Sequence, residues 1–532
     1  MDSAEKNSAF DKRLKRQVIG KPHRFLAVVP LGFEKTFVRE MDFLRRESVE
    51  NQGTNSLDIK IAGDGKVEFT AKLVDAWKIV AFSRIANRIL VHIADFKAEN
   101  FRELEKKAAE IPWELFLTTN HQPLTTIHVT CKHSRLYHSD AVAERLLKVI
   151  EGGSLPLASA PVGSSATPSA GTPRNAPKSE ASDLAPHTSS LYVTLIDDRC
   201  TLWLDLAGEE LYKRGHERFV NDAPLKETIA AAILQEAFNA AILTTNHQPL
   251  ITLIDPMSGS GTFSLEAAYM AHGLIPGKCR DFALKHQPAF KPATWNHIVN
   301  SANANPNPSL RRNNDSELSL QKIDDSILSL QGNDDSILSL RRNDDSMLSL
   351  RRNDDSMLSL RRNEVTAAIS STIHKIITSD ISERAVEIIQ HNVECCPLAN
   401  IAPSANAPTI SPQLRDFFSY TAKEIADLCG ESAPVIVLNP PYGKRLDFDA
   451  PKLYTQIGKK LAELARELAP LGKQLTVAIL APKDDSRPGS KYTCTANLLH
   501  ECPALDPQQN SDAKNIVTSH GGLSLNAIIA RI

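Results

Sequence analysis

Four short stretches hold residues able to do chemistry together. The first is DPMSGSGT, residues 255–262, which follows the apolar run ITLI. A glycine-rich turn after a buried strand lets backbone come close to a ligand. The helix that follows offers free N–H groups and its positive end. The turn begins with Asp255 and is followed by Glu266 inside the helix, but it lacks the third glycine of a dinucleotide fingerprint and the Gly-Lys-Ser/Thr of a P-loop. That pattern disfavours NAD and ATP. The second stretch, TSDIS, puts Asp380 at the tip of a strand, where a carboxylate accepts from ribose hydroxyls; the alternative is a helix cap, which Ser379 or Ser382 supplies equally well. The third is Asp416 beside Phe417, a carboxylate and ring suited to an adenine amino group or to an ordinary surface turn.

The fourth stretch is NPPYGKRLD, residues 439–447, after the strand-like run VIVL. Pro440 and Pro441 lack donors and fix φ, so the strand must end there in a rigid turn with free carbonyls. Asn439 adds an uncharged side-chain acceptor. Two acceptors next to the ring of Tyr442 make a cradle for a planar group bearing an NH2: the acceptors hold the amine and the tyrosine stacks on the ring.

These stretches need a scaffold that brings strand ends together. Residues 251–271, 374–393, 433–443 and the run QLTVAILAP read as apolar strands alternating with helices, the rhythm of a parallel, doubly wound sheet. Upstream, FLAVVPLGFEKTFVREMDFL and the segments after it alternate strand and helix as small α+β layers, and SLYVTLIDDRCTLWLDLAG reads as a hairpin turning at Asp197-Asp198.

The whole chain sets outer bounds. It has 532 residues, 42% hydrophobic and 23% charged, enough for two to four domains. A net charge of −2 gives no global basic field for nucleic acid, so such a partner needs a local patch. One basic cluster, Lys12, Arg13, Lys15, Arg16, Lys21 and Arg24, reads as a solvated N-terminal tail or as such a patch. Eight scattered cysteines without a CxxC pair argue against a disulfide framework and a zinc site. No signal-peptide core and no long apolar run is present, which points to a cytoplasmic protein with no membrane span and no metal.

Three segments look like additions to this scaffold. Residues 152–186 are rich in Ser, Ala, Pro and Gly and cannot bury a core. A decapeptide of the type SLRRNDDSML repeats in tandem over 309–358; its period matches neither a coiled coil nor a known solenoid, and it reads as a surface insertion. The octapeptide LTTNHQPL occurs at 117–124 and again at 243–250, which suggests a duplicated loop rather than chemistry.

Taken together, DPMSGSGT, TSDIS and NPPYGKRLD resemble the motifs of class I S-adenosylmethionine-dependent methyltransferases of the N-PPY type. LDLAGEELYKRGHER, followed by APLKETIAAAIL, sharpens the resemblance to the bacterial large-subunit (23S) ribosomal RNA guanine-N2 methyltransferases. The resemblance covers most of the chain outside the inserts. It implies an α/β fold: a Rossmann-like methyltransferase domain over 219–532, with the repeat insert at about 303–363. Before it come a basic tail over 1–21, a ferredoxin-like region over 22–97 and a THUMP RNA-binding domain over 98–218, which carries the low-complexity insert 152–188. It further implies that Asp255, Met257, Gly259, Gly261 and Thr262 shape the cofactor pocket. Asp380 with Ile381 would serve the ribose side, and Asp416 with Phe417 the adenine. Asn439, Pro440, Pro441 and Tyr442 would form the catalytic loop. Ser258 stands where the family often has cysteine, so no catalytic thiol is implied. Some relatives carry a second methyltransferase domain, and one methylation activity is expected here. The expected partner is RNA, as 23S ribosomal RNA or a ribosome assembly intermediate. A transfer RNA guanine-N2 methyltransferase and a non-catalytic RNA-binding protein are the competing readings; DNA adenine-N6 and protein glutamine-N5 methylation fit the N-terminal half less well.

Overall fold

The computed structural model describes residues 3–46, 58–117, 126–152, 189–220, 224–242, 250–304, 372–400, 408–442, 449–484 and 493–532. The low-complexity segment, the decapeptide array and both LTTNHQPL copies, apart from Leu117 and Leu250, lie outside these residues.

The N-terminal half runs α1 (Ser3–Leu14), β1 (Pro22–Val28), α2 (Glu34–Arg46), β2 (Ile59–Gly63), β3 (Lys66–Lys72), α3 (Leu73–Phe82), β4 (Arg88–Lys97), α4 (Phe101–Ala109), β5 (Thr126–Lys132), α5 (Ser139–Gly152), β6 (Ser190–Ile196) and β7 (Arg199–Asp205). The strands form one seven-stranded sheet in the order β2-β3-β1-β4-β7-β6-β5. Alternation assigns the faces: Phe25, Ala27, Phe69, Leu191, Val193, Leu202 and Leu204 are buried with Leu104 of α4 and Leu146 of α5 in one core. The β6–β7 turn holds Asp197 and Asp198 at φ 50° and 62°, the left-handed pair that a two-residue hairpin demands.

Two expectations change here. The segment expected as a basic tail is helical from Ser3, because Leu14 and Val18, hidden among its cations, are 3% and 4% exposed and anchor it to the core. The boundary expected between 97 and 98 falls inside one sheet, since β4 pairs with β1 on one side and β7 on the other.

The C-terminal half runs α6 (Glu227–Ile242), β8 (Ile251–Asp255), α7 (Thr262–Ala271), α8 (Pro292–Ala304), β9 (Ile373–Asp380), α9 (Glu383–Cys395), β10 (Pro412–Leu414), α10 (Ala422–Cys429), β11 (Ala433–Leu438), α11 (Ala450–Leu468), β12 (Thr476–Pro482), α12 (Cys494–Glu501), β13 (Lys514–His520) and β14 (Leu523–Arg531). Its sheet order is β10-β9-β8-β11-β12-β14-β13. Strands β10, β9, β8, β11 and β12 are parallel, as expected, while β14 and β13 close the sheet antiparallel. Every residue of β8 and β12 is buried, because helices cover both faces. Val435 and Val437 face the core shared with α6 and α7, whereas Ile436 and Leu438 face the one built with α10, α11 and α12.

The halves are tied by buried polar contacts. Glu236 of α6 is 3% exposed and accepts from Thr36, Arg39 and Lys514. Ser83 and the backbone N–H of Arg84 donate to Glu40 at 2.6 and 2.8 Å, while the Arg84 guanidinium donates to the carbonyls of Tyr269 and Leu274. Among the described residues no helix is long and apolar enough to cross a membrane.

Candidate active site

The strand order reverses between β8 and β11, and in open α/β sheets ligands bind beyond the carboxyl ends at such a point. All four sequence stretches converge there. Asp255 ends β8, Asp380 ends β9, Asp416 follows β10 and Asn439 follows β11.

The glycine-rich turn is clamped to the neighbouring strand. Ser258 donates through its N–H and its Oγ to the Ser379 carbonyl, at 3.2 and 2.7 Å. The Gly259 N–H donates to Asp380 Oδ2 at 2.9 Å, and the Ser382 N–H donates to Oδ1 at 2.9 Å. Ser382, not Asp380, caps α9, accepting from the Ala385 N–H. Asp380 therefore joins two loops rather than ending a helix. Gly259 has φ 59°, and a side chain there would project into open space, so its backbone is free to meet a ligand. Gly261, at φ 79°, is needed for a different reason: a Cβ would lie 3.2 Å from two carbons of Ile389.

Asp255 is fully buried. Its Oδ2 accepts from Ser264 Oγ at 2.8 Å, and Thr378 Oγ1 donates to Ser264 at 2.8 Å. Its Oδ1 is buried with no hydrogen-bond partner among the described residues. Burial pushes the carboxyl up to about 7, the Ser264 bonds pull it down and nearby Asp380 pushes it up. An orphaned acidic oxygen beside an open glycine turn suits a cationic or N–H-bearing ligand.

The remaining candidates for the cofactor pocket divide by exposure. Phe417 is 2% exposed and packs with Ile254, Ile377 and Tyr420, so its ring belongs to the core and only its backbone is offered to the site. Ile381 is 72% exposed and supplies apolar surface beside Asp380. Asp416 Oδ1 accepts from the Phe418 N–H at 3.0 Å, which makes it the cap of a single 3₁₀ turn. Met257 is partly buried against the same core as Phe417.

In the loop after β11, Asn439 is half-buried, Pro440 buried and Pro441 exposed. The Tyr442 hydroxyl donates to Asn439 Oδ1. This contact was not expected: the tyrosine fixes the asparagine amide, while its half-buried ring packs against the core shared with α6 and α7. The bond occupies one lone pair of Oδ1 and leaves the second to accept from a ligand. Residues 443–448 lie outside the described part.

Sequence reasoning missed three residues that hold the turn. Arg218 donates to Ser260 Oγ at 3.2 Å, to Thr262 Oγ1 and to Glu227. Arg214 makes a two-pronged contact with Glu266 of α7 at 3.0 and 3.2 Å. Asn392 of α9 accepts from the Phe219 N–H and donates to the Phe219 and Ser260 carbonyls. The only sequence signal was the pairing of the stretch YKRGHERF with the glycine-rich turn. Among the described residues no group of three or more His, Cys, Asp or Glu is placed to hold a metal ion.

A doubly wound sheet with this strand order, a glycine-rich turn clasped to an acidic strand end and an Asn-Pro-Pro-Tyr loop across the switch point defines a class I methyltransferase domain. Residues 214–477 match the family described as UPF0020: RMKL-like, methyltransferase domain. The Bacillus subtilis protein YpsC, named as a candidate RNA methyltransferase, is 29% identical over 280 residues, covering 52% of this chain and 62% of that protein. The ribosomal RNA large subunit methyltransferase K/L of Alteromonas mediterranea is 31% identical over 220 residues, covering 41% of this chain and 28% of that protein. The chain thus spans less than two thirds of the length of either relative. The solved structure of SMU.472, a candidate methyltransferase complexed with SAH, shares the fold with a TM-score of 0.56 at 20% identity, covering 96% of this chain and 98% of that one.

Proposed function

We propose that this chain transfers a methyl group from S-adenosylmethionine to the exocyclic N2 amine of a guanine in RNA, with large-subunit (23S) ribosomal RNA or an assembly intermediate as substrate. The observation that carries the reading is Asn439 Oδ1, held by Tyr442 at the switch point opposite the Gly259–Asp380 clasp. The orphaned Asp255 Oδ1 and the open space at Gly259 fit a cofactor with a cationic end and a compact backbone-facing portion. When bound, the cofactor supplies an electrophilic methyl group on a sulfonium. The relatives' names, RNA methyltransferase and ribosomal RNA large subunit methyltransferase, favour RNA as acceptor.

The chain's own residues then have defined tasks. An aromatic amine is a poor nucleophile because its lone pair is delocalised into the ring. Asn439 Oδ1 and the Pro440 carbonyl accept its two N–H bonds and hold them away from the ring plane, which localises the lone pair. Tyr442 stacks on the base and fixes the Asn439 amide. Positioning in line supplies much of the acceleration. The amine loses one proton to water, so no strong base is needed. A base inside a duplex is out of reach, and the substrate base is unpaired or flipped. In this reading the α+β half over 22–218, whose strands form one sheet, serves as the ferredoxin-like and THUMP RNA-binding part without a break between the two, and the enzyme works in the cytoplasm.

Incubation with labelled cofactor and total cellular RNA, followed by nucleoside analysis, tests this. The expected product is N2-methylguanosine in the 23S fraction. Label in transfer RNA would move the assignment to a transfer RNA enzyme, and cofactor binding without any labelled RNA would sink it.

A further inference from the structure

The solvent face of the N-terminal sheet carries four rings in one cross-strand row. Registers pair His92 of β4 with Trp203 of β7, Trp203 with Tyr192 of β6, and Tyr192 with His128 of β5. His128 and Tyr192 are stacked with centroids 4.6 Å apart at 22°, and His92 meets Trp203 edge-on at 5.2 Å. Two arginines lie over the row: the Arg24 guanidinium is 5.1 Å from the Trp203 centroid, and that of Arg88 is 5.5 Å from Tyr192. Aromatic and basic side chains thus interleave across four strands.

This face has no helix of its own among the described residues. Its apolar cluster, Leu26, Leu90 and Trp203 with Val28 and Tyr192, consists of strand residues alone, while α4 and α5 pack on the opposite side. Trp203 is 4% exposed because Arg24 and its neighbours roof it, so it acts as a floor. Arg24 and His128 are exposed, and Tyr192, His92 and Arg88 are half-buried. Arg24 and Lys132 form no ion pair with a described carboxylate, whereas Arg88 and Arg199 are paired with Asp205 and Asp95. Next to the ring row on the same face lies an open cavity of about 710 Å³, lined by Asp95, Lys97, Thr194, Ile196, Arg199 and Thr201 among others.

We infer that this sheet face binds a single-stranded segment of the substrate RNA, its bases stacking on His128, Tyr192 and the Arg24 guanidinium, its backbone following Lys132 and the Lys97–Arg199 side of the cavity. Three observations select this occupant. Exposed rings and a planar guanidinium are sequence-tolerant stacking partners for bases, but only for bases already out of a duplex. Unpaired cations beside them complement phosphates. Threonine hydroxyls along the cavity offer partners to ribose hydroxyls, which an apolar protein partner would leave unsatisfied. The inference rests on the reading of the chain as an RNA enzyme and adds where, and in what form, the RNA is held away from the transfer site.

The test is fluorescence anisotropy of the full chain with a labelled single-stranded 12-nucleotide RNA and with the same sequence as a duplex. The single strand is expected to bind more tightly than the duplex. His128→Ala and Tyr192→Ala should each weaken it about 5- to 150-fold, the effect of losing one stacking ring. Arg24→Glu and Lys132→Glu, both at exposed positions, should weaken it and reduce its salt dependence. Tyr192→Phe, which keeps the ring, should bind like the wild type. Cofactor binding by calorimetry should be unchanged in all five variants. Equal RNA affinity in the Arg24, His128 and Lys132 variants, or a preference for duplex, overturns the inference while leaving methyl transfer standing. A wild type that binds the strand through this face but labels no RNA removes the transfer reading instead.

Discussion

The backbone N–H of Gly259 donates to Asp380 Oδ2 at 2.9 Å, which closes the turn after β8 onto the tip of β9. One carboxylate thereby sets the shape of the turn at the switch point, and in the proposed function it also meets the cofactor's hydroxyls. Replacing Asp380 with Ala should weaken S-adenosylmethionine binding about 10- to 150-fold, the range for a hydrogen bond to a charged group. Calorimetry measures it, and denaturation midpoints should barely move because Asp380 is partly exposed.

The Tyr442–Asn439 contact makes a separate prediction. Asn439→Ala removes the proposed amine acceptor and should lower kcat about 10²- to 10³-fold with cofactor affinity unchanged, by analogy with losing one preorganised polar group at a reacting centre. Tyr442→Phe keeps the ring but frees the asparagine, so its loss should be a few-fold. Tyr442→Ala should fall between the two. Steady-state rates on RNA separate the three variants.

Asp255 predicts a pH dependence. Its carboxyl is held up to about 7 in the fold, against an ordinary value near 3.9 in an unfolded chain. Between these values the folded chain keeps a proton the unfolded chain has lost, so this group's contribution to stability falls as pH rises from about 4 to 7 and is flat above. Asp255→Asn should flatten that slope, seen as a smaller difference between denaturation midpoints at pH 5 and pH 8. A cationic ligand at Oδ1 should ionise the group, so cofactor binding at pH 6 should release a proton. Calorimetry in two buffers of different ionisation enthalpy reads that release.

The Arg214–Glu266 pair is 3% and 0% exposed, with Arg84 a further 3.7 Å from the same carboxylate. Arg214→Met removes both hydrogen bonds to the buried carboxylate and leaves it only the longer contact with Arg84, which should cost about 3 kcal/mol in urea denaturation. Adding Glu266→Gln should recover part of that loss, because a neutral amide needs less from its remaining neighbours than a half-compensated carboxylate.

Much of the site was legible because its elements carry strong local signals. Strands β8, β11 and β12 are apolar runs buried on both faces, β9 is buried from Ile376 to Ser379, and Asp255, Asp380 and Asn439 mark where three of the four end. The hairpin at Asp197-Asp198 was equally plain from its turn residues. Weak local signals hid the rest. Strand β10 spans only Pro412–Leu414, too short to show a period. The β13–β14 hairpin alternates polar and apolar residues around Gly521-Gly522 and passed unread, although two glycines at φ 56° and 78° are a turn signal. Helix α1 was masked by its cations.

The sequence by itself determined the chemistry at the strand ends: a glycine turn free to approach a ligand, acidic tips and a proline-locked acceptor loop. These depend on backbone freedom and donor loss within a few residues. Only the tertiary structure decided which groups meet. Gly259 and Asp380 are 121 residues apart, as are Ser258 and Ser379, and Arg218 reaches Thr262 across 44. It also decided that Phe417 turns into the core while Ile381 stays outside, and that four rings from four strands share one register. Such pairings are set by strand order and by which face of each strand is buried, and no local pattern carries that information.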